Sequence, residues 1–256
     1  MVAYDPSPPR AGEAPTFPPL LSGERVRPGI DPFEKAIAAA RTADPGTVFW
    51  SPDEAIMQAA LVLAPETTLD RTMAMVFAAA CGLNDALGAL APPELAVHHV
   101  WPDAVKANGA FCGTLRAASD ATAAGDAPNW FVVSVSISIA AGDVEPGGSP
   151  EITALAEEGC AHLTTIRLLE SWSRHTLVWI NRWLEDGFKP LHDAWLSRAE
   201  GHGGEVVFEH GGTVRRGRFI GLDEFGDMLL ETPDGTRQLS LLCMLKSPRA
   251  WPPEPL

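Results

Sequence analysis

The chain has 256 residues, 46% hydrophobic and 20% charged, with a formal net charge of −14. That composition can build a real core, as one large domain or a domain with a small appendage, and it excludes a largely disordered chain. So acidic a field also argues against the phosphate backbone of nucleic acid as a partner.

No run of about 18 uninterrupted apolar residues appears, and no basic-then-apolar leader, so a soluble, cytoplasmic chain without a membrane partner is expected. Cys81, Cys112, Cys160 and Cys243 are far apart and form no CxxC pair, which suits reduced thiols better than a disulfide frame. Cys160-Ala161-His162 offers two ligand atoms without a second pair, so no metal site is expected. Arg215-Arg216-Gly217-Arg218 reads as a solvated strand face.

Residues 1–29 are proline-rich, and proline cannot donate a backbone hydrogen bond, so an extended tail is expected there. Asp31 and Pro32 open a helix carrying Phe33, Ile37 and Ala40 at helical spacing, which Asp44-Pro45-Gly46 ends. The strand TVFW follows, then the polar break Ser51-Pro52-Asp53-Glu54 and a second strand, IMQAALVLAP. Thr68 caps a longer helix to about Leu90, with Leu69, Met73, Val76, Ala80, Leu83 and Leu87 on one face.

Next comes HHVWPDAVKANGAFCGTL, in which Asn108-Gly109 predicts a tight turn and FCGTL a return strand. WFVVSVSISIA alternates small polar with apolar residues at period two, a strand with one face on the core. GDVEPGGSP reads as loop. Residues 164–186 form a strong amphipathic helix stopped by Gly187, and a short helix spans about 189–199. The remainder, with breaks at His210-Gly211-Gly212, Glu224-Phe225-Gly226 and Pro233-Asp234-Gly235, predicts a small barrel of four or five strands, SH3-like in size.

The order of these pieces resembles the biotin/lipoate protein ligase family from about Ile30 to Leu245, as a divergent member. GTVFW leading to LVLAP is similar to the family's early hairpin. VWPD with NG and CGTL behind it is similar to its K-W-P-N-D, N-G and A-G-I-L series, and WFVVSVSISI to its V-V-I-G-I-G-I-N-V strand. The block DGFKPLHDAWLSRA and the small barrel resemble the C-terminal region of biotin ligases. The resemblance implies an α/β (α+β) fold: a mixed sheet with helices on one side, then an SH3-like barrel. The expected domains are a tail at 1–29, a catalytic-type domain at 30–200 and a C-terminal domain at 201–248.

The same resemblance implies an acyl-adenylate chemistry using ATP, Mg²⁺ and biotin, lipoate or octanoate, with transfer to a lysine of a carrier domain. Such chemistry needs cations for the triphosphate, an oxygen ligand for the metal and an apolar slot for the acyl chain. The family's Gly/Arg-rich loop is absent between TVFW and IMQAALVLAP, where Asp53 and Glu54 stand instead. The motif lysine aligns with Val100, and the Asn and Asp with Asp103 and Ala104. Ser134, Ser136 and Ser138 replace two glycines and an asparagine, narrowing the slot, and Asp31-Pro32-Phe33 replaces the Ser-Thr contacts near the first helix.

The ligand-binding positions implied are Trp101, Pro102, Asp103, Gly113, Ser134, Ser136 and Ser138. His99 as a general base, Lys106 as a replacement cation and Cys112 as an acyl-thioester nucleophile are candidate catalytic groups. Each has a plainer reading as a packed histidine, a solvated lysine or a buried thiol. Besides an interaction protein acting mainly through the C-terminal barrel and its Phe225 loop, two functions stay open. One is a ligase-like protein with lost or altered activity that keeps a groove for a small carboxylate or a biotin/lipoyl carrier protein. The other is an active ATP-dependent biotin, lipoyl or octanoyl ligase, or an acyltransferase. The oligomeric state is open.

Overall fold

A computed structural model describes residues 14–140, 151–210 and 213–245. Its centre is a seven-stranded mixed sheet in the order β1-β2-β3-β7-β6-β5-β4. The strands are β1 (Ser22–Arg25), β2 (Thr47–Trp50), β3 (Ile56–Leu63), β4 (Val97–Val100), β5 (Ala104–Ala107), β6 (Ala110–Ser119) and β7 (Phe131–Ser138). Only β1 against β2 is parallel; the other pairs are antiparallel. β3 and β7 are nearly continuous apolar or small runs because, at mid-sheet, both of their faces are covered. Asn108 (φ 48°) and Gly109 (φ 93°) turn β5 into β6 in the left-handed region that an Asn-Gly pair tolerates.

Strand alternation sorts the side chains onto two faces. Val133, Val135 and Ile137 of β7 join the main core, whereas Val132 joins a second, smaller one. The main core lies under α3 (Ala74–Leu90), α4 (Thr165–Asp186) and α5 (Lys189–Leu196). α3 is apolar on nearly every side because the sheet and α4 enclose it. The stretch Leu69–Leu90 has the length and hydropathy of a membrane span, yet 72% of its most apolar window is buried inside the protein. It crosses α4 so closely that a Cβ on Gly82 would stand 2.3 Å from Thr176 Oγ1.

The second core is made by α1 (Pro32–Ala39), whose Phe33 and Ala36 cover Phe49, Ala60, Val62 and Val132. Helices therefore flank both faces, where one side was expected. Two further differences concern local signals. The expected tail contains β1, and Thr16 just ahead of it binds Glu170 of α4 through its amide (2.7 Å) and hydroxyl (2.8 Å). Thr68 does open a helix, but its hydroxyl donates to Asp70 instead of capping an amide, and the chain bends between α2 (Leu69–Thr72) and α3. The expected loop GDVEPGGSP lies outside the described residues.

The C-terminal part is a four-stranded antiparallel sheet in the order β11-β10-β9-β8. It comprises β8 (Glu205–His210), β9 (Thr213–Leu222), β10 (Met228–Thr232) and β11 (Gly235–Leu239). Phe219, Met228 and Leu230 continue the main core. Of the run read as a solvated strand face, Arg216 and Arg218 are exposed on β9, whereas Arg215 is half-buried with its Nε enclosed and Gly217 is buried.

Candidate functional site

The sheet face opposite α3 and α4 carries a polar strip built by register. Ser134 of β7 stands between Ala60 of β3 and Arg116 of β6, and Ser136 stands between Gln58 and Thr114. Ser138 pairs with Ile56. The N-terminus of α1 closes over this strip. Asp31 caps the helix through Oδ1, which accepts from the Phe33 amide at 2.9 Å. The same oxygen accepts from Arg116 Nη2 at 2.8 Å. The Arg116 guanidinium also lies 4.3 Å from the Phe33 ring centroid, a cation–π stack. Ser134 and Ser136 are buried as a result, and the Ser136 hydroxyl has no hydrogen-bond partner.

The structure separates the sequence candidates. His99 shares its face of β4 with Val97 of the main core and stacks on Trp195 of α5, with ring centroids 5.9 Å apart. It therefore lies on the helix side, away from the serines, and is 1% exposed. Desolvation first, then Arg198 and His98, lowers its pKa to about 3, so it is a neutral packed ring and no cation. Lys106 reaches Glu200 at 3.2 Å and sits 4.8 Å over Phe111, already paired. Cys112 is 0% exposed, and burial, with Glu158 next, pushes its thiol up to about 12. A protonated, enclosed thiol is no nucleophile.

The tryptophan motif serves packing. Trp101, joined to Pro102 by a cis peptide, is 2% exposed and donates from Nε1 to the Gly226 carbonyl at 3.1 Å. It meets Phe208 edge-on and His210 at 5.6 Å. Trp101 is thus the joint between the two sheets and does not line an open groove. Asp103 is buried, and its carbonyl accepts from the Thr114 hydroxyl (3.0 Å) and the Leu115 amide (2.7 Å). Gly113 is needed on the helix side, where a Cβ would stand 2.2 Å from Ile137 Cδ1.

The edge where the family keeps its Gly/Arg loop is short here. β2 and β3 are joined by Ser51–Ala55 alone. Asp53 Oδ1 in that turn is spent on the amides of Ala55 (2.7 Å) and Ile56 (3.1 Å). Among the described residues no group of three or more His, Cys, Asp or Glu side chains could hold a metal ion. The turn itself, Ser51–Ala55, brings two carboxylates and no cation to that edge.

Arg116 is the charged residue of this strip that the motifs did not signal. The resemblance stops at CGTL, one residue short of it. The signal in the sequence was a single arginine in a strand otherwise made of small and apolar residues (AFCGTLRAAS).

Residues 17–197 match the Biotin/lipoate A/B protein ligase family. A mixed sheet with the family's strand-and-turn series defines the class, and the chain belongs to that family. It is 31% identical over 182 residues to a biotin–[acetyl-CoA-carboxylase] ligase of Paracoccus denitrificans, covering 68% of this chain and 73% of that protein. A solved biotin protein ligase-like protein of unknown function from Silicibacter sp. TM1040 superposes with a TM-score of 0.83 at 42% identity, covering 91% of this chain and 99% of that one. Biotin protein ligase from Aquifex aeolicus superposes at 0.70 with 15% identity, covering 85% and 94%, a likeness of fold.

Proposed function

We propose that this chain is a ligase-family protein whose adenylating step is lost or strongly altered, and which keeps a binding groove for a small carboxylate or a carrier protein. The observation that carries the reading is the turn Ser51–Ala55. It is too short for a phosphate-wrapping loop, has no cation, and holds Asp53 and Glu54 at the edge a triphosphate would approach. Two carboxylates there repel an anion that catalysis would need to attract. Arg116, Lys106 and Lys35, on the serine side, each already face a carboxylate, at 2.8, 3.2 and 3.9 Å.

The P. denitrificans relative is named a biotin ligase, which favours a second reading: an active ATP-dependent ligase drawing its cations from another segment. One assay separates the two. The protein is incubated with ATP, Mg²⁺ and biotin, lipoate or octanoate, and pyrophosphate exchange and acyl-adenylate are measured. No exchange above background is expected. Adenylate formed with any of the three acids would establish the second reading.

A further inference from the structure

We infer that Asp31 is an internal ligand of Arg116, occupying a receptor for the carboxylate of a small acid that must displace it; this rests on the reading of a retained small-carboxylate groove. Three observations converge on the pair. First, the ion pair is half used. A guanidinium offers five N–H donors and binds a carboxylate best through two parallel bonds, yet Asp31 takes one, from Nη2. The one oxygen it uses, Oδ1, is shared with the Phe33 amide, so the same atom serves the helix cap and the arginine. A free carboxylate has no such tether.

Second, Arg116 is held ready. Its side chain is 18% exposed and stacked on Phe33, whereas Asp31 is 33% exposed. The receptor is half-buried, and its occupant, at the helix entrance, is the more solvated partner. Third, the neighbouring Ser136 hydroxyl is buried without a partner on the strip that continues from Arg116 through Ser134. A buried hydroxyl left unpaired costs free energy. A ligand lying along the strip, with its carboxylate on Arg116, supplies the missing bond.

The test uses octanoate and its uncharged analogue octanamide as probes, titrated calorimetrically into the full chain. Asp31→Ser frees the arginine while leaving a competent helix cap; Asp31→Asn is the second variant should the first fold poorly, and circular dichroism checks both. Octanoate is expected to bind at least about tenfold tighter to Asp31→Ser than to the unaltered chain, with octanamide unchanged. Adding Arg116→Gln should abolish that gain. A folded Asp31 variant that binds octanoate no tighter, or a gain that survives Arg116→Gln or extends equally to octanamide, overturns the inference. Adenylate formation by the unaltered chain would refute the functional reading alone, since the titration involves no nucleotide.

Discussion

Replacing His99 by leucine measures how much a neutral buried imidazole makes this fold sensitive to acid. Neither ring nitrogen has a hydrogen-bond partner, and the ring is sealed between β4 and Trp195. Burial, reinforced by Arg198 and His98, lowers the pKa from 6.5 to about 3. The unfolded chain therefore takes up a proton near pH 6.5 and the folded chain only near pH 3. Between those values the unfolded state binds more protons, so stability falls as pH falls. One pKa unit corresponds to about 1.4 kcal/mol, which gives a loss of about 2 kcal/mol at pH 5 and a ceiling of about 5 kcal/mol at lower pH. Leucine has similar volume and no proton to gain. Urea unfolding at about pH 7.5 and pH 5 should show the unaltered protein weakening by about 2 kcal/mol more than His99→Leu. Equal weakening of the two would refute a neutral, desolvated His99.

Other consequences can be checked the same way. Trp101→Phe keeps most of the ring but leaves the Gly226 carbonyl without its 3.1 Å donor; a stability loss of about 1–3 kcal/mol is expected by denaturant titration. Gly82→Ala drives a methyl into Thr176 at the α3–α4 crossing, and overpacking should cost about 1–3 kcal/mol, read as a lowered Tm. Cys112, with its thiol pushed up to about 12, should stay unmodified by iodoacetamide at about pH 8 in the folded protein and react once urea is added, as peptide mass spectrometry would show.

The scaffold was legible because its signals are local and agree with one another. Asn108-Gly109 specifies a turn whichever sheet it serves, the period-two run of β7 specifies a strand, and Gly187 ends α4 wherever α4 packs. The site was less legible because its contacts are distant in sequence. Arg116 meets Asp31 across 85 residues, and Lys106 meets Glu200 across 94. Face assignment was the other obstacle. Strand alternation puts His98 and His99 on opposite faces, but which one joins the helix layer depends on Trp195, nearly a hundred residues away. The sequence also hid that α1 packs on the serine side, since an amphipathic helix has the same pattern against either face of a sheet.

The motif letters shared with the family and those that differ divide by physical role. Trp101 survives and ties one sheet to the other through Gly226. Asn108-Gly109 survives and makes a turn, and Gly113 survives where any side chain would strike Ile137. Each of these is needed by the architecture whether or not anything is catalysed. Among the letters that differ, two would have an electrostatic task in ligation, the lysine, now Val100, and the Gly/Arg loop, now Ser51–Ala55; the others, at Asp31–Phe33, Asp103-Ala104 and Ser134, Ser136 and Ser138, change the ligand contacts and the width of the slot. A chain that needed triphosphate chemistry would gain nothing by pairing the arginine of its serine strip with its own helix cap. A chain that only needs to hold and release a carboxylate gains a cation that is never left bare in the protein, because an internal acid occupies it until a better-fitting one arrives.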